Sequence, residues 1–141
     1  ILDMAGNVGT QSLAVTIRVL MDDALTGAKK RRLIGREARI GLCNGLILGA
    51  LAFGVVTLYL LATGSGAFFA LSVAGCVTAA LAVSMVVSSV VGTCVPMLFS
   101  RLHVDPAVAS GPLITTVNDL VAVLSYYGLA WLFLIGILHL G

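Results

Sequence analysis

The sequence predicts an all-α protein, a polytopic bundle of transmembrane helices forming a single domain over residues 1–141. Three observations carry that prediction. Hydrophobic residues make up 60% of the chain and charged residues 10%, against about 45–50% and about 25% in a soluble domain. The mean hydropathy is +1.12. Apolar runs of the length that crosses a bilayer, about 20 residues, alternate with short polar connectors. A small soluble domain has too much surface to hide so many apolar groups. An ordinary soluble domain, a disordered chain and a coiled coil are therefore excluded.

Residues 1–25 read as a partial first span with unusual polar content. The chain starts on Ile1 with no basic stretch, so residues 1–6 are not a signal peptide. The expectation is a longer parent with at least half a span upstream. Residues 26–39 read as a basic loop, with room for a short surface helix. It holds Lys29, Lys30, Arg31, Arg32, Arg36 and Arg39. Elsewhere such a run would suggest nucleic acid, but between two apolar spans it marks a cytoplasmic loop, and no nucleic-acid partner is expected.

Residues 40–62 form the first full span, about 34 Å long at about 1.5 Å per residue. Thr63-Gly64-Ser65-Gly66 is a tight uncharged turn. Residues 67–99 form a second long span with Pro96 near its end. Residues 100–111 are a polar connector in which Asp105-Pro106 marks a turn or helix start. Pro112 is suited to open the last span, residues 112–138, because its missing N–H is not needed in a first turn. The Lys/Arg asymmetry puts 26–39 and 100–111 inside, 63–66 outside and Gly141 outside. Cys43, Cys76 and Cys94 have no CxxC spacing and read as small buried hydrophobes.

Three features exceed what a lipid-facing helix needs. Gly41, Gly45 and Gly49 are spaced to let a second backbone approach closely. In the first segment Asp3, Asn7 and Thr10 share one helix face, beside Gln11. Gly6 and Gly9 weaken the helix there by about 1 kcal/mol each relative to alanine and expose carbonyls. Such a cluster serves either as polar glue between helices or as the wall of a wet cavity. In the last span, Asp119 lies roughly 10 Å below the start. An intramembrane carboxylate costs about 2.5–3.5 kcal/mol on insertion scales, and is expected to face the bundle interior and mark a functional site. Thr115 stands one turn before it. His103 and His139 have no partner at metal-ligand spacing, and the sequence has neither HExxH nor a GxSxG elbow, so no enzyme is expected.

All these donors are oxygens, which favours hard cations such as Mg²⁺, Ca²⁺ or Mn²⁺. Mg²⁺ keeps several waters and is held by one or two carboxylates, so one Asp per chain suits it. Two copies of Asp119 across an axis would repel, and a divalent cation would relieve that repulsion.

The segment Ala5-Gly6-Asn7-Val8-Gly9-Thr10-Gln11, the stretch Arg36–Gly49, and Asp105-Pro106-Ala107 with Ser110, Pro112, Thr115 and Asp119 together resemble the transmembrane domain of the MgtE family of magnesium channels and transporters. The resemblance covers essentially the whole chain. It implies helices two to five of a five-helix domain, a homodimer in the bilayer of a bacterial inner (plasma) membrane, and a Mg²⁺ pore at the subunit interface. It also implies that a first helix and cytoplasmic magnesium-sensing modules belong to such a protein. By position, the pore carboxylate falls on Asp119 and the carbonyl-bearing position on Thr115. The helix-two pore positions fall on Gly6, Asn7 and Thr10, and Asp3 joins them on the residue pattern alone. Ala5 replaces a frequent family glycine and Gly111 an asparagine found in some members. Two other readings stay open: a channel for another divalent ion such as Mn²⁺ or Co²⁺, and a non-conducting structural subunit packed through its glycines.

Overall fold

The structure is a computed structural model that describes residues 1–22 and 26–137. Asp23, His139 and Gly141 lie outside the described residues. The elements are α1 (Leu2–Asp22), α2 (Gly27–Ala62), α3 (Ala67–Arg101) and α4 (Pro106–Ala130), which runs on into a π-helical segment (Trp131–Ile137). The expected all-helical architecture is what forms, with no strand among the described residues.

Gly27–Ala62, Ala67–Arg101 and Pro112–Phe133 are each long and apolar enough to cross a membrane. Helix α1, at 21 residues, is about 31 Å long and would also reach across. It is not among those spans because Asn7, Gln11 and Arg18 dilute its apolar residues.

The basic stretch expected as a loop over 26–39 is helical from Gly27 onward. Lys, Arg, Ala, Leu and Glu are all strong helix formers, and the sequence holds no proline there to stop them. Helix α2 has 36 residues, so it is about 54 Å long and exceeds the hydrocarbon thickness by about 20 Å. Its cationic third therefore projects into the interface and beyond.

The turns after α2 and α3 close in the same way. After α2, Ser65 N–H donates to Leu60 O (3.0 Å) and Gly64 N–H to Leu61 O (3.1 Å). After α3, Val104 N–H donates to Phe99 O (3.0 Å) and His103 N–H to Ser100 O (3.3 Å). This pairing satisfies the last helical carbonyls and needs a left-handed residue just past the cap. Gly64 supplies it at φ 85°, and His103 adopts it at φ 59°. Helix α4 then starts at Pro106 rather than at Pro112. Asp105 caps it by accepting from Ala107 N–H at 2.9 Å, and Pro106 sits where no N–H is needed. Pro112 lies inside the helix.

Helix α3 is the centre of the packing. Helix α2 runs along one side of it, while α1 and α4 lie on the other side and touch each other. Leu33, Glu37, Gly41, Gly45 and Gly49 form the buried stripe of α2. A Cβ on Gly45 would lie 2.6 Å from Ala82 Cα, and one on Gly41 2.7 Å from Met85 O. The two backbones are thus in direct contact, antiparallel, with Thr78 Oγ1 donating to Gly49 O at 3.0 Å. On the opposite side Ser88 Oγ donates to Ala5 O at 2.5 Å, and Gly92 lies against the Gly9 carbonyl. Val8, Leu81 and Met85 form the apolar core between these contacts. Of the cysteines, Cys76 is buried, Cys94 half-buried and Cys43 exposed, all with free thiols. Cys43 departs from the buried-hydrophobe expectation because it lies off the four-residue stripe of α2.

Adding a methyl group at Gly45 must push two backbones apart. Gly45→Ala is expected to destabilise the protein by about 1–3 kcal/mol, whereas Gly54→Ala, where a Cβ meets nothing within 4 Å, is expected to be neutral or slightly stabilising. Thermal unfolding of the two variants in detergent checks the contrast.

Candidate functional site

Interior polar groups of this bundle are largely hydroxyls bonded to backbone carbonyls. Thr16 Oγ1 donates to Ser12 O at 2.7 Å and Thr93 Oγ1 to Ser89 O at 2.8 Å. Such bonds satisfy a polar side chain within its own helix.

The residues singled out from sequence lie elsewhere. Asp3, Asn7 and Thr10 are exposed along one face of α1, and Gly6 is half-buried between them. Thr10 Oγ1 lies 3.1 Å from Gly6 O and 3.0 Å from Asn7 O, so its hydroxyl hydrogen is shared between these carbonyls. On α4, Thr115 and Asp119 are exposed. The expectation that Asp119 faces the interior of the chain's own bundle is therefore overturned. The buried stripe of α4 is Ile114, Asn118 and Ala122, spaced four apart, and Asp119 sits about 100° round the helix from Asn118.

The two polar faces are nevertheless held at one level. A Cβ on Gly9 would collide with the Asn118 side chain and with Ser88 Oγ, so α1, α3 and α4 meet at this point. Asn7 and Thr10 lie within a turn of Gly9, and Thr115 and Asp119 within a turn of Asn118. Gly9 thus acts as a packing residue rather than as an exposed carbonyl donor. The Asn118 amide is fully buried and neither of its polar atoms has a hydrogen-bond partner.

These faces do not form a cage of charged ligands. No group of three or more His, Cys, Asp or Glu that could hold a metal occurs among the described residues. What they present is the carboxylates of Asp3 and Asp119 together with hydroxyl, amide and carbonyl oxygens, a set suited to the water shell of a hard cation.

A family model described as a divalent cation transporter, MgtE, matches residues 1–129. The chain belongs to the MgtE family. It is 37% identical over 131 residues to the magnesium transporter MgtE of Bacillus subtilis (strain 168), covering 93% of this chain and 27% of that protein. It is 37% identical over 130 residues to the magnesium transporter MgtE of Enterococcus faecalis, covering 92% and 27%. To the Thermus thermophilus magnesium transporter MgtE it is 34% identical over 134 residues, covering 95% and 28%. The chain thus spans about a quarter of the length of these MgtE relatives. It is a multi-pass membrane protein.

Sequence reasoning missed Glu37 and Asn118. Glu37 lies in the basic stretch, yet it is 3% exposed. Ser12 Oγ donates to its Oε2 at 3.1 Å, and Arg36 reaches its Oε1 from Nε (3.2 Å) and Nη2 (3.1 Å). The signal was present: Glu37 falls four residues before Gly41 and so continues the glycine stripe. Ser12 supplies its bond from another helix, so this pair ties α1 to α2, which otherwise barely touch.

Removing the Ser12 hydroxyl leaves a buried carboxylate oxygen unpaired. Ser12→Ala is expected to destabilise the protein by about 1–3 kcal/mol. Glu37→Gln is expected to cost less, because it keeps an acceptor for Ser12 and removes the charge. Unfolding midpoints in detergent, compared at equal protein and lipid content, check the order.

Proposed function

We propose that the protein carries Mg²⁺ across the membrane through a water-filled path lined by the polar faces of α1 and α4, and that a second copy of the chain closes this path. The observation that carries the reading is the exposed Asp119 on an otherwise uncharged spanning helix, at the level of Asn7 and Thr10. A carboxylate turned toward lipid costs about 2.5–3.5 kcal/mol or more. Its exposure in the single chain calls for water or a partner beside it. Two-fold pairing supplies the same face twice and closes the ring. The names of the relatives, all magnesium transporters, support the choice of ion.

In this reading the cation keeps its water shell. Asp119 and its copy hold it by charge: at an effective dielectric of about 20, each carboxylate contributes a few kcal/mol toward a cation at contact range. Thr115 contributes its backbone carbonyl, and Gly6, Asn7 and Thr10 offer oxygens to the outer waters, with Asp3 near the start of α1. We place the basic end of α2 in the cytoplasm by its lysines and arginines. The chain is read as a transporter and not an enzyme. A path preferring Mn²⁺ or Co²⁺ uses the same donors and is separated by uptake selectivity.

Asp119→Asn keeps the shape and removes one negative charge per chain. In the full-length protein it is expected to abolish Mg²⁺ uptake by cells lacking other magnesium transporters, at unchanged protein amount and oligomeric state. Thr115→Ala is expected to do much less, because the backbone carbonyl stays. Wild-type uptake by Asp119→Asn at equal expression would show that this carboxylate is not the ion site.

A further inference from the structure

The glycine contacts between α2 and α3 stop short of the basic end of α2. Gly49 faces Thr78, Gly45 faces Ala82 and Gly41 faces Ser89, but Ile34 and Lys30 have no glycine to bring α3 close. The result is an open groove of about 430 Å³. Its floor is apolar, formed by Ile34, Cys94, Met97 and Leu98, and its mouth carries Lys30 and Arg101. The antiparallel register puts both cations at the same end, the end where α2 projects beyond the hydrocarbon. The apolar floor runs from there toward the glycine contacts, that is, toward the middle of the bilayer.

The carboxylates with described side chains lie elsewhere or are engaged. Glu37 is bonded to Ser12 and Arg36, Asp105 caps α4, and Asp3 and Asp119 belong to the polar faces. The groove therefore offers two positive charges, Lys30 and Arg101, above an apolar floor, at the end where α2 outruns the hydrocarbon thickness. Basic pockets between spanning helices at a membrane surface hold anionic headgroups.

We propose that this groove is a binding site for one anionic phospholipid, with its phosphate between Lys30 and Arg101 and an acyl chain along Ile34, Cys94 and Leu98. The charges select the headgroup and the apolar floor requires the tail. A soluble phosphate bears the first feature and lacks the second. A zwitterionic lipid bears the second and adds a positive group that Lys30 and Arg101 repel. The bound lipid lies between α2 and α3 beyond the glycine contacts, and so extends their interface toward the membrane surface.

The test uses the full-length protein, purified in detergent, delipidated and titrated with dioleoylphosphatidylglycerol, dioleoylphosphatidylcholine or inorganic phosphate. Native mass spectrometry counts bound lipid and thermal unfolding reports the stabilisation. The expected result is retention of one phosphatidylglycerol per chain with a rise in unfolding midpoint, and neither effect from phosphatidylcholine. The Lys30→Gln/Arg101→Gln double variant should weaken phosphatidylglycerol binding by about an order of magnitude. Arg101→Lys should keep most of it, and Arg32→Gln, outside the groove, should leave it unchanged. Cys94→Trp, which fills the floor and leaves both charges, should also remove the bound lipid. Equal retention of the two lipids would overturn the proposal. So would undiminished phosphatidylglycerol binding by the double variant, or displacement of the lipid by millimolar inorganic phosphate, which would make this a phosphate site alone.

Discussion

Direct backbone contact along α3 is the constraint on which the rest of this structure depends. In a bilayer, lipid tails are as apolar as leucine, so helices gain nothing from hiding apolar surface against each other. Association must come from close packing and from hydrogen bonds between helices. This chain supplies both on two sides of one helix. Gly41, Gly45 and Gly49 bring α2 onto Met85, Ala82 and Thr78, and Thr78 bonds across to Gly49 O. Gly9 and Gly92 bring α1 onto α3, and Ser88 bonds across to Ala5 O. Larger residues at these points would separate the backbones and lose the bonds with them.

That contact line also fixes where the polar groups fall. Because Gly9 meets Asn118 and Ser88, the rotation of α1 and of α4 about their own axes is set, and with it the outward direction of Asn7, Thr10, Thr115 and Asp119. The interior keeps hydroxyls that bond to their own or a neighbouring backbone, together with the buried carboxylate of Glu37, which Ser12 and Arg36 compensate. Asn118 stays buried without a hydrogen-bond partner, while Asn7, Thr10, Thr115 and Asp119 are exposed. In the proposed transport path these exposed groups border water; against lipid they would stand at a cost.

Much of this was legible in the sequence, for reasons that can be named. The glycine spacing showed the α2–α3 contact because close approach has few other solutions. The apolar runs showed the spans because length and hydropathy are set by the bilayer, and the turn at Thr63–Gly66 was marked by its glycines. The oxygen-rich pattern on α1 was legible as a face because the helical period dictates it. What was not legible depended on tertiary context. Residues 27–39 carry the charge of a connector, although helix propensity runs almost unbroken through them. Pro112 and Asp105-Pro106 both carry helix-start chemistry, and the side-chain cap of Asp105 on Ala107 N–H decides for the earlier one. A carboxylate in a spanning helix needs polar company, which favours the interior for Asp119, but one chain does not supply that company, and the neighbouring Asn118 takes the buried position instead.

The central claim is that the polar faces of α1 and α4 border water and not lipid. Spin labels at single cysteines replacing Thr10, Thr116 (exposed on α4 between Thr115 and Asp119), Ile47 and Leu58, in the full-length protein in nanodiscs, report collision with a water-soluble nickel chelate and with oxygen, which concentrates in lipid. The account predicts high chelate and low oxygen accessibility at 10 and 116, and the reverse at 47 and 58, which are exposed on the apolar face of α2. Oxygen accessibility at 10 and 116 equal to that at 58 would place these faces against lipid and contradict it.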